Sequence, residues 1–145
     1  AKNMARWHFA LTCYNKERLI VSGGHCLSTL CEVFTFIIAR NDWGKLTSMI
    51  KPRQNHSSCV LKTKVFYIGG TDHNMKRLTS VEWSDVISGE RDIIEAAFDV
   101  PRELPVVGAV SDSKLIIMGG IGDSGKLSDV LLFDTTLEGE ERKCQ

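Results

Sequence analysis

The sequence of 145 residues has no surplus of either charge, no long apolar run and no leader-like start. Lysine plus arginine and aspartate plus glutamate number 18 each, so there is no long-range positive field to attract nucleic acid or an anionic membrane surface. The longest apolar run, residues 33–39, is interrupted by Thr35 and is far shorter than the roughly 20 residues that cross a bilayer. Residues 1–9 contain no signal-peptide core. We therefore expect a cytoplasmic protein that binds neither nucleic acid nor membranes.

Cysteine and histidine are too scattered for a disulfide framework or a metal site. The five cysteines are an odd number without a C-x-x-C pair. The four histidines fall in separate parts of the chain without metal-ligand spacing. Residues 119–126 resemble a phosphate-binding loop, but they end in Lys-Leu and lead to a predicted strand, where the mechanism needs a helix. We expect no metal, no other cofactor and no enzymatic activity.

What the sequence does contain is one short stretch in three copies. Residues 19–24 read LIVSGG, residues 65–70 read VFYIGG and residues 115–120 read LIIMGG. Four apolar residues stopped by two glycines predict a buried inner strand that ends in backbone with positive φ. The first glycines are 46 and 50 residues apart, which is close to the roughly 50-residue period of one class of propeller blade. The glycines to which we assign this structural role are Gly23, Gly24, Gly69, Gly70, Gly119 and Gly120.

Each copy continues into the same series of elements. A short strand precedes the glycine strand at residues 9–14, 57–61 and 106–110, and a strand opened by Leu-x-x-Val follows it. In copy two the aromatic of that third strand, Trp83, comes one position early, which predicts a one-residue deletion or a bulge. A fourth strand is expected at residues 42–46, where Trp43 would cover the neighbouring glycine strand. Copy two has its fourth strand around Ile93, although residues 90–99 have the composition of a short helix, and copy three shows none.

The repeat also suggests roles for four cysteines and one histidine. Counting back ten residues from the first glycine reaches Cys13 in copy one and Cys59 in copy two, so we predict that both are small buried strand residues. Cys26 and Cys31 lie in or beside a predicted loop and are the better candidates for a reactive thiol. His56 comes just before a strand and is interpreted as a hydrogen-bonded packing residue.

This combination of elements resembles the kelch repeat family. The shared features are a Gly-Gly doublet after an apolar strand, a third strand with valine and an aromatic, a tryptophan in the fourth strand, and Pro-Arg before the next copy. The resemblance covers nearly the whole chain and implies an all-β, kelch-type β-propeller, in which four-stranded antiparallel blades surround a channel that the glycine strands face. We therefore interpret residues 1–145 as a partial propeller with blades at about 4–49, 50–99 and 100–145, the third without its fourth strand.

Three blades cannot close a ring, because propellers typically need about four to eight blades and open sheets would leave unpaired edges. The chain is then either a fragment of a longer chain, with further kelch blades that complete a propeller of usually six, or half of a ring that a second copy completes.

In kelch propellers that this chain resembles, the loops after the glycine strand and the segments that lead into the first strand form one face for a protein partner. On this face Arg53, Lys76, Arg77 and Arg102 are interpreted as groups that could pair with carboxylates on a ligand. The alternative is that they are solvated loop charges. The complete set of candidate contact residues is Arg6, His25, Arg53, Gln54, Asn55, Asp72, His73, Lys76, Arg77, Arg102, Glu103, Asp123 and Lys126.

The resemblance implies a non-enzymatic protein-interaction domain, and two settings remain open. The first is the substrate-recruiting propeller of a BTB-kelch adaptor for a cullin-type ubiquitin ligase, the commonest setting of tandem kelch repeats. The second is a scruin-like structural protein that binds or bundles actin and has a cytoskeletal location. The domain that precedes Ala1 in the full-length chain would distinguish the two settings. A BTB fold there favours the adaptor, and a second kelch domain favours the cross-linker.

Overall fold

Three antiparallel sheets, one for each copy of the glycine-ended strand, make up the part of the chain that the structure describes. The computed structural model describes residues 5–137 and residue 144. Within these residues there is no α-helix, and the one helical segment is a short 3₁₀ turn. The all-β prediction is therefore confirmed. Each sheet, together with its loops, is called a blade below.

Blade 1 has four strands. In chain order its segments are β1 (Ala10–Asn15), β2 (Arg18–Ser22), β3 (His25–Cys26), β4 (Ser28–Thr29), β5 (Val33–Ile37), the 3₁₀ turn (Ile38–Arg40) and β6 (Asp42–Lys45). The long strands lie in the order β1, β2, β5, β6. The two-residue strands β3 and β4 pair with each other in a ribbon beyond the glycines, where the sequence predicted only a polar loop.

Blade 2 also has four strands, in the order β7, β8, β9, β10. Their bounds are β7 (Ser57–Leu61), β8 (Lys64–Ile68), β9 (Val81–Asp85) and β10 (Arg91–Ile94). The segment with helix-like composition thus contains the outer strand that the repeat demanded, because pairing with β9 overrides local propensity.

Blade 3 has three strands in the described residues, in the order β11, β12, β15. Its segments are β11 (Val106–Ala109), β12 (Lys114–Met118), the ribbon strands β13 (Ile121–Gly122) and β14 (Gly125–Lys126), and β15 (Val130–Asp134). The predicted absence of a fourth strand falls largely on residues 138–143 and 145, which lie outside the described residues, so it stays a prediction.

The third strand of blade 2 contains neither a bulge nor a deletion, and that expectation is corrected. Val81 lies opposite Ile68, the residue before the glycines, as Val33 lies opposite Ser22 in blade 1. The pairing of β8 with β9 then runs without a shift. Because side chains alternate between the faces of a sheet, Trp83, two residues after its valine, lies on the face opposite to that of the aromatic in blade 1.

The same alternation explains why the prediction for Cys13 is wrong. Cys13 is exposed and lies opposite Leu19, four residues before the first glycine. Cys59 is half-buried and lies opposite Phe66, three residues before the first glycine. The first hairpin of blade 2 is one residue shorter, so a count of ten joins two positions that lie on opposite faces.

Trp43 is in the predicted fourth strand but does not cover the glycine strand. It lies opposite Phe36 of the third strand, and the centroids of the two rings are 4.9 Å apart with a 49° tilt. β5 separates Trp43 from the glycine strand β2. The indole therefore extends the apolar surface of blade 1 outward from the third strand.

Two apolar cores fill the spaces between neighbouring blades. Between blades 1 and 2 the buried residues are Ile20, Val33, Met49, Val65 and Tyr67. Between blades 2 and 3 they are Leu61, Phe66, Ile68, Val81, Ala97, Phe98, Leu115, Ile117 and Phe133. Successive blades are thus joined face to face by burial of apolar surface, which is the arrangement of a propeller.

The first strand of each blade lies innermost. β1 contacts β7, and β7 contacts β11, whereas the glycine strands β2, β8 and β12 each have a neighbouring strand on both sides within their own blade. The expectation that the glycine strand faces the channel is therefore wrong. The glycine strand is the central strand of its blade. In blade 2 it lies between two strands and contributes to both apolar cores, which accounts for the uninterrupted apolar run of β8.

Candidate functional site

The glycine doublets place the loops of all three blades on one face, called the loop face below. The first glycines, Gly23, Gly69 and Gly119, have φ of 56°, 61° and 57°, and the residues that follow them have φ of 94°, 92° and 100°. The left-handed backbone expected at the doublets is therefore present in every copy. A side chain is disfavoured there, and each chain turns sharply from its central strand into a loop.

Three arginines occupy one equivalent position beneath this face. Arg6, Arg53 and Arg102 each donate from Nη1 to the carbonyl oxygen of the first glycine of their own blade, at 3.0, 2.9 and 3.0 Å. Their exposed fractions are 8%, 0% and 1%. These arginines therefore bind the carbonyl groups that the end of the central strand leaves without a ladder partner.

Each arginine also pairs with an acidic residue at the start of the third strand of its blade. Arg53 Nη2 is 2.7 Å from Glu82 Oε2, and both side chains are almost completely buried. Arg102 Nη2 is 2.7 Å from Asp129 Oδ2, and Arg6 pairs with Glu32 at 3.4 Å. We call each pair an arginine clasp. The prediction that Arg53 and Arg102 bind carboxylates of a ligand is corrected, because their carboxylate partners are within the chain.

The clasps differ in how far they are removed from water. Burial lowers the pKa of the Arg53 guanidinium, and the Glu82 carboxylate opposes that shift. Glu82 also accepts hydrogen bonds from the backbone N–H groups of Ile50 and Lys51. In blade 3 the hydrogen bond from Arg102 holds the pKa of Asp129 below its usual range, although that carboxylate side chain is 37% exposed.

The lead-in segments, which are the residues just before the first strand of each blade, also join the preceding blade through their backbone in blades 2 and 3. The N–H of Gly24 donates to the carbonyl of Arg53 at 2.9 Å, and the N–H of Arg53 donates to the carbonyl of Leu30 at 3.1 Å. Gly70 and Arg102 form the equivalent bond at 2.9 Å at the next junction. Backbone groups of the lead-in residues therefore tie the blades together.

His56 lies in the first of these junctions. Its Nε2 is 2.8 Å from the hydroxyl of Ser22, and its ring meets the edge of Tyr67 at 6.3 Å between centroids. Burial and the nearby Arg53 charge hold the pKa of His56 well below its usual range. A serine beside a histidine can be a nucleophilic pair, but both residues are buried. The structure therefore gives His56 the packing role that the sequence predicted.

A chain of polar side chains crosses the loop face. Asn55 Oδ1 is 2.6 Å from His8 Nδ1, and Asn55 Nδ2 donates to Glu103 Oε2 at 2.9 Å. Arg77 donates to Glu103 Oε1 at 2.7 Å and to Asp123 Oδ1 at 3.0 Å. Lead-in segments of three blades and loops of two are connected in this way. Arg77 therefore already has two carboxylate partners, which corrects its interpretation as a free ligand-binding group.

The other predicted contact residues divide into turn-forming and exposed groups. Asp72 Oδ1 accepts the N–H groups of Asn74 and Lys76 at 2.8 and 3.0 Å and so shapes its loop. Gln54 is buried at 5%, and its amide donates to Met75 Sδ at 3.1 Å. His25 is half-buried. The candidates that remain exposed in the loops are His73, Lys76, Asp123 and Lys126.

Several loop-face residues were missed by sequence reasoning. The clasp acids were not singled out, although each adjoins the valine that opens its third strand, which is a signal that the repeat contained. Four exposed apolar residues were also missed because polar residues surround them in the sequence, and they are Trp7, Leu27, Met75 and Leu104.

Outside the loop face, a groove of about 210 Å³ lies beside the turns that join the first and second strands of blades 2 and 3. Phe66, Trp83 and Phe133 contribute to its wall, and the Lys64 ammonium is 3.5 Å from the centroid of the Trp83 ring.

Among the residues that the structure describes, no group of three or more His, Cys, Asp or Glu side chains could hold a metal ion. No helix in the same residues is long and apolar enough to cross a membrane.

Comparison with known proteins gives several kelch proteins. No protein-family profile matches the chain. The chain is 32% identical over 113 residues to Kelch-like protein 7 of Rattus norvegicus, which covers 77% of the chain and 18% of that protein. It is 33% identical over 124 residues to Kelch-like protein 35 of Mus musculus, with 85% and 21% covered. It is also 23% identical over 112 residues to Kelch repeat protein M-T9 of Myxoma virus, with 72% and 22% covered. The chain thus spans about a fifth of the length of these curated relatives.

Proposed function

Because the chain belongs to the kelch repeat family and is a protein-interaction domain, we propose that it recruits the substrate of a cullin-type ubiquitin ligase through its loop face. The observation that carries this proposal is the chain of hydrogen bonds from His8 through Asn55 to Glu103 and Arg77. It holds loops of different blades in one composite surface. A surface whose parts are fixed before binding loses little conformational entropy when a partner docks.

In our proposal, further blades pack against the outer faces of blades 1 and 3. The outer face of blade 1 carries Leu11 and Phe36, and the outer face of blade 3 carries Val106 and Val130. Phe36 has the same position relative to the glycines as Phe133, which is 1% exposed because blade 2 covers it. The outer face of blade 1 is thus built like a junction face. Blades of the parent chain, rather than a second copy, are the proposed cover.

The decisive experiment uses the parent chain with its natural flanking residues. We expect the purified protein to form a stable complex with a cullin during gel filtration, and to direct ubiquitin onto a protein bound at the loop face. A cytoplasmic location is part of the same proposal. Absence of a cullin complex, together with co-sedimentation of the protein with actin filaments, would replace the adaptor by the actin-binding alternative.

A further inference from the structure

The arginine side chains at the loop face are neutralised by carboxylates of the same chain. Arg6, Arg53 and Arg102 are buried beneath the face in the arginine clasps. Arg77 is held between Glu103 and Asp123. To bind these arginines, the carboxylates of a partner protein would have to displace the carboxylates that are already bound. A displaced carboxylate that stayed buried would be left without a counter-charge.

Three exposed apolar residues of the same face have an unusual backbone. Leu27, Met75 and Leu104 have φ of 63°, 62° and 53°, in the left-handed region that aliphatic side chains disfavour and that glycine and asparagine tolerate. Their exposed fractions are 97%, 63% and 53%. Each position therefore combines an unfavourable backbone conformation with an exposed apolar side chain. More than half of each side chain is exposed, so burial within the described residues offsets little of the free-energy cost of either feature. The repeat sets this backbone at Leu104, because His8 and Asn55 at the equivalent positions of blades 1 and 2 also have positive φ. It does not require an exposed apolar side chain there, and exposed apolar side chains at constrained loop positions are consistent with a binding role.

Contacts made by these residues or by their sequence neighbours link the positions across the loop face. The N–H of Asn55 donates to the carbonyl of His8, and the N–H of Leu104 donates to the carbonyl of Asn55, at 2.9 and 2.7 Å. Met75 accepts a hydrogen bond from Gln54, the residue before Asn55. At the other end, Trp7 is 53% exposed and its ring lies 5.1 Å from that of His25, two residues before Leu27. We call the set Trp7, Leu27, Met75 and Leu104 the apolar patch.

We infer that the loop face selects a protein segment by its aliphatic and aromatic side chains, which dock on the apolar patch, and not by its carboxylates. The inference rests on the proposed function for the existence of a protein partner at this face, and it specifies the chemistry of that partner. Apolar side chains of a partner would bury the exposed leucine and methionine side chains, and that burial is the favourable contribution that the isolated chain lacks.

The test selects, from displayed random peptides, those that bind the longer natural chain that contains these 145 residues. We expect enrichment of leucine, isoleucine, phenylalanine and tryptophan in the selected peptides. The best peptide, synthesised with a fluorescent label, should bind with nearly the same affinity at low and at high NaCl, because salt screens charge pairs and not apolar contacts. Asparagine variants of the patch (L27N, M75N and L104N) should each weaken binding about tenfold.

The asparagine variants have a built-in control for folding. Asparagine suits left-handed backbone better than leucine or methionine does, so all three variants should melt at the same temperature as the parent or higher. Lower melting temperatures would show that the apolar side chains have a structural role and would overturn the inference. The charge variants K76Q and K126Q test the alternative, because a partner that docks by its carboxylates should lose affinity in them and one that docks by apolar side chains should not.

The outcomes distinguish this inference from the function on which it rests. Selected peptides rich in aspartate or glutamate, whose binding is lost in K76Q or K126Q and kept in L104N, would overturn the apolar patch and leave the loop face as a binding surface. Peptides whose binding no loop-face variant alters would overturn the proposed function, and with it the inference.

Discussion

At the scale of single residues, the two glycines of each doublet meet different neighbours. A Cβ atom built on Gly69 would lie 2.5 Å from the carbonyl oxygen of Arg102, in the lead-in segment of the next blade. A Cβ atom on Gly70 would lie 2.5 Å from the carbonyl oxygen of Gln54, in the lead-in segment of its own blade. The doublet is needed because two backbone segments approach the end of one strand from two sides.

Replacing Gly70 by alanine should lower the free energy of unfolding by about 3 kcal/mol or more, because positive φ and a backbone clash add together. Gly125→Ala is the matched control. Gly125 has φ of 120° but no atom within 4 Å of a built Cβ, so only strain of about 1–2 kcal/mol is expected. Urea unfolding of both variants measures the difference. Equal losses would show that the close approach to Gln54 contributes nothing.

The buried His56 predicts a dependence of stability on pH. Its pKa is lowered in the folded chain, so the unfolded chain binds the proton more readily. The free energy of unfolding should therefore be constant above the ordinary histidine pKa of about 6.5 and fall as the pH drops below it, by at most about 1.4 kcal/mol per pH unit.

Urea unfolding at several pH values, for the parent and for His56→Gln, checks this prediction. The variant should lose less stability on acidification, since glutamine cannot take up a proton. His73→Gln, at an exposed loop position, should keep the pH dependence of the parent. A variant at position 56 that followed the parent curve would assign the dependence to other groups.

At the scale of structural elements, strand alternation allows the clasp acid to come from two sequence positions. Glu32 and Asp129 precede the valine that opens the third strand, whereas Glu82 follows its valine and Ser80 precedes it. Residues on either side of one strand position lie on the same face. Both placements therefore point toward the lead-in arginine, and in blade 2 Arg53 binds Ser80 as well as Glu82.

Removing the buried acid should be far more damaging than removing its exposed equivalent. Glu82→Gln leaves the Arg53 charge buried without a counter-charge and should cost about 3–5 kcal/mol. Asp129→Asn changes a carboxylate that is 37% exposed and therefore partly screened by water, although Arg102 itself is 1% exposed, so a smaller cost of about 1–2 kcal/mol is expected. Chemical unfolding measures both. Similar costs for the two substitutions would mean that burial does not set the strength of the clasp.

At the scale of the whole molecule, two sheet faces lack a neighbouring blade among the described residues. Leu11 on blade 1 is 57% exposed, and Val106 and Val130 on blade 3 are 62% and 59% exposed. Apolar surface of this kind is normally covered in a soluble protein. In our proposal the further blades of the parent chain cover both faces.

The 145-residue chain alone should therefore self-associate and bind a hydrophobic dye. Lysine at both open faces, in the double variant Leu11→Lys, Val130→Lys, should shift sedimentation velocity profiles toward monomer without lowering stability, because both side chains are exposed. Ile87→Lys changes a more exposed residue, at 72%, in the turn between β9 and β10, and should have no effect. An unsubstituted 145-residue chain that sediments as a monomer and binds no dye would contradict the interpretation that these two sheet faces are open.

Much of the fold was accessible from local sequence. The apolar run of β8 and the glycines after it specify a buried strand and its end, because both depend on the chemistry of adjacent residues. The third strands at Val33, Val81 and Val130 followed from the repeat. Two errors came from single-residue differences between copies: Cys13 was expected to be buried, and the early position of Trp83 was interpreted as a deletion or a bulge. In both cases a shift of one residue reverses the direction of a side chain in a strand.

The candidate site depended on contacts between residues far apart in the chain. Local sequence places Arg53 in a Pro-Arg lead-in and Lys76 in a loop, but it does not reveal that Arg53 is fully buried against Glu82 and that Lys76 is exposed. The sequence could place both charges near the glycine doublets and hence near one face. Their burial was settled by the packing of blade 2 on blade 1, because a charge loses water only when elements distant in sequence close around it.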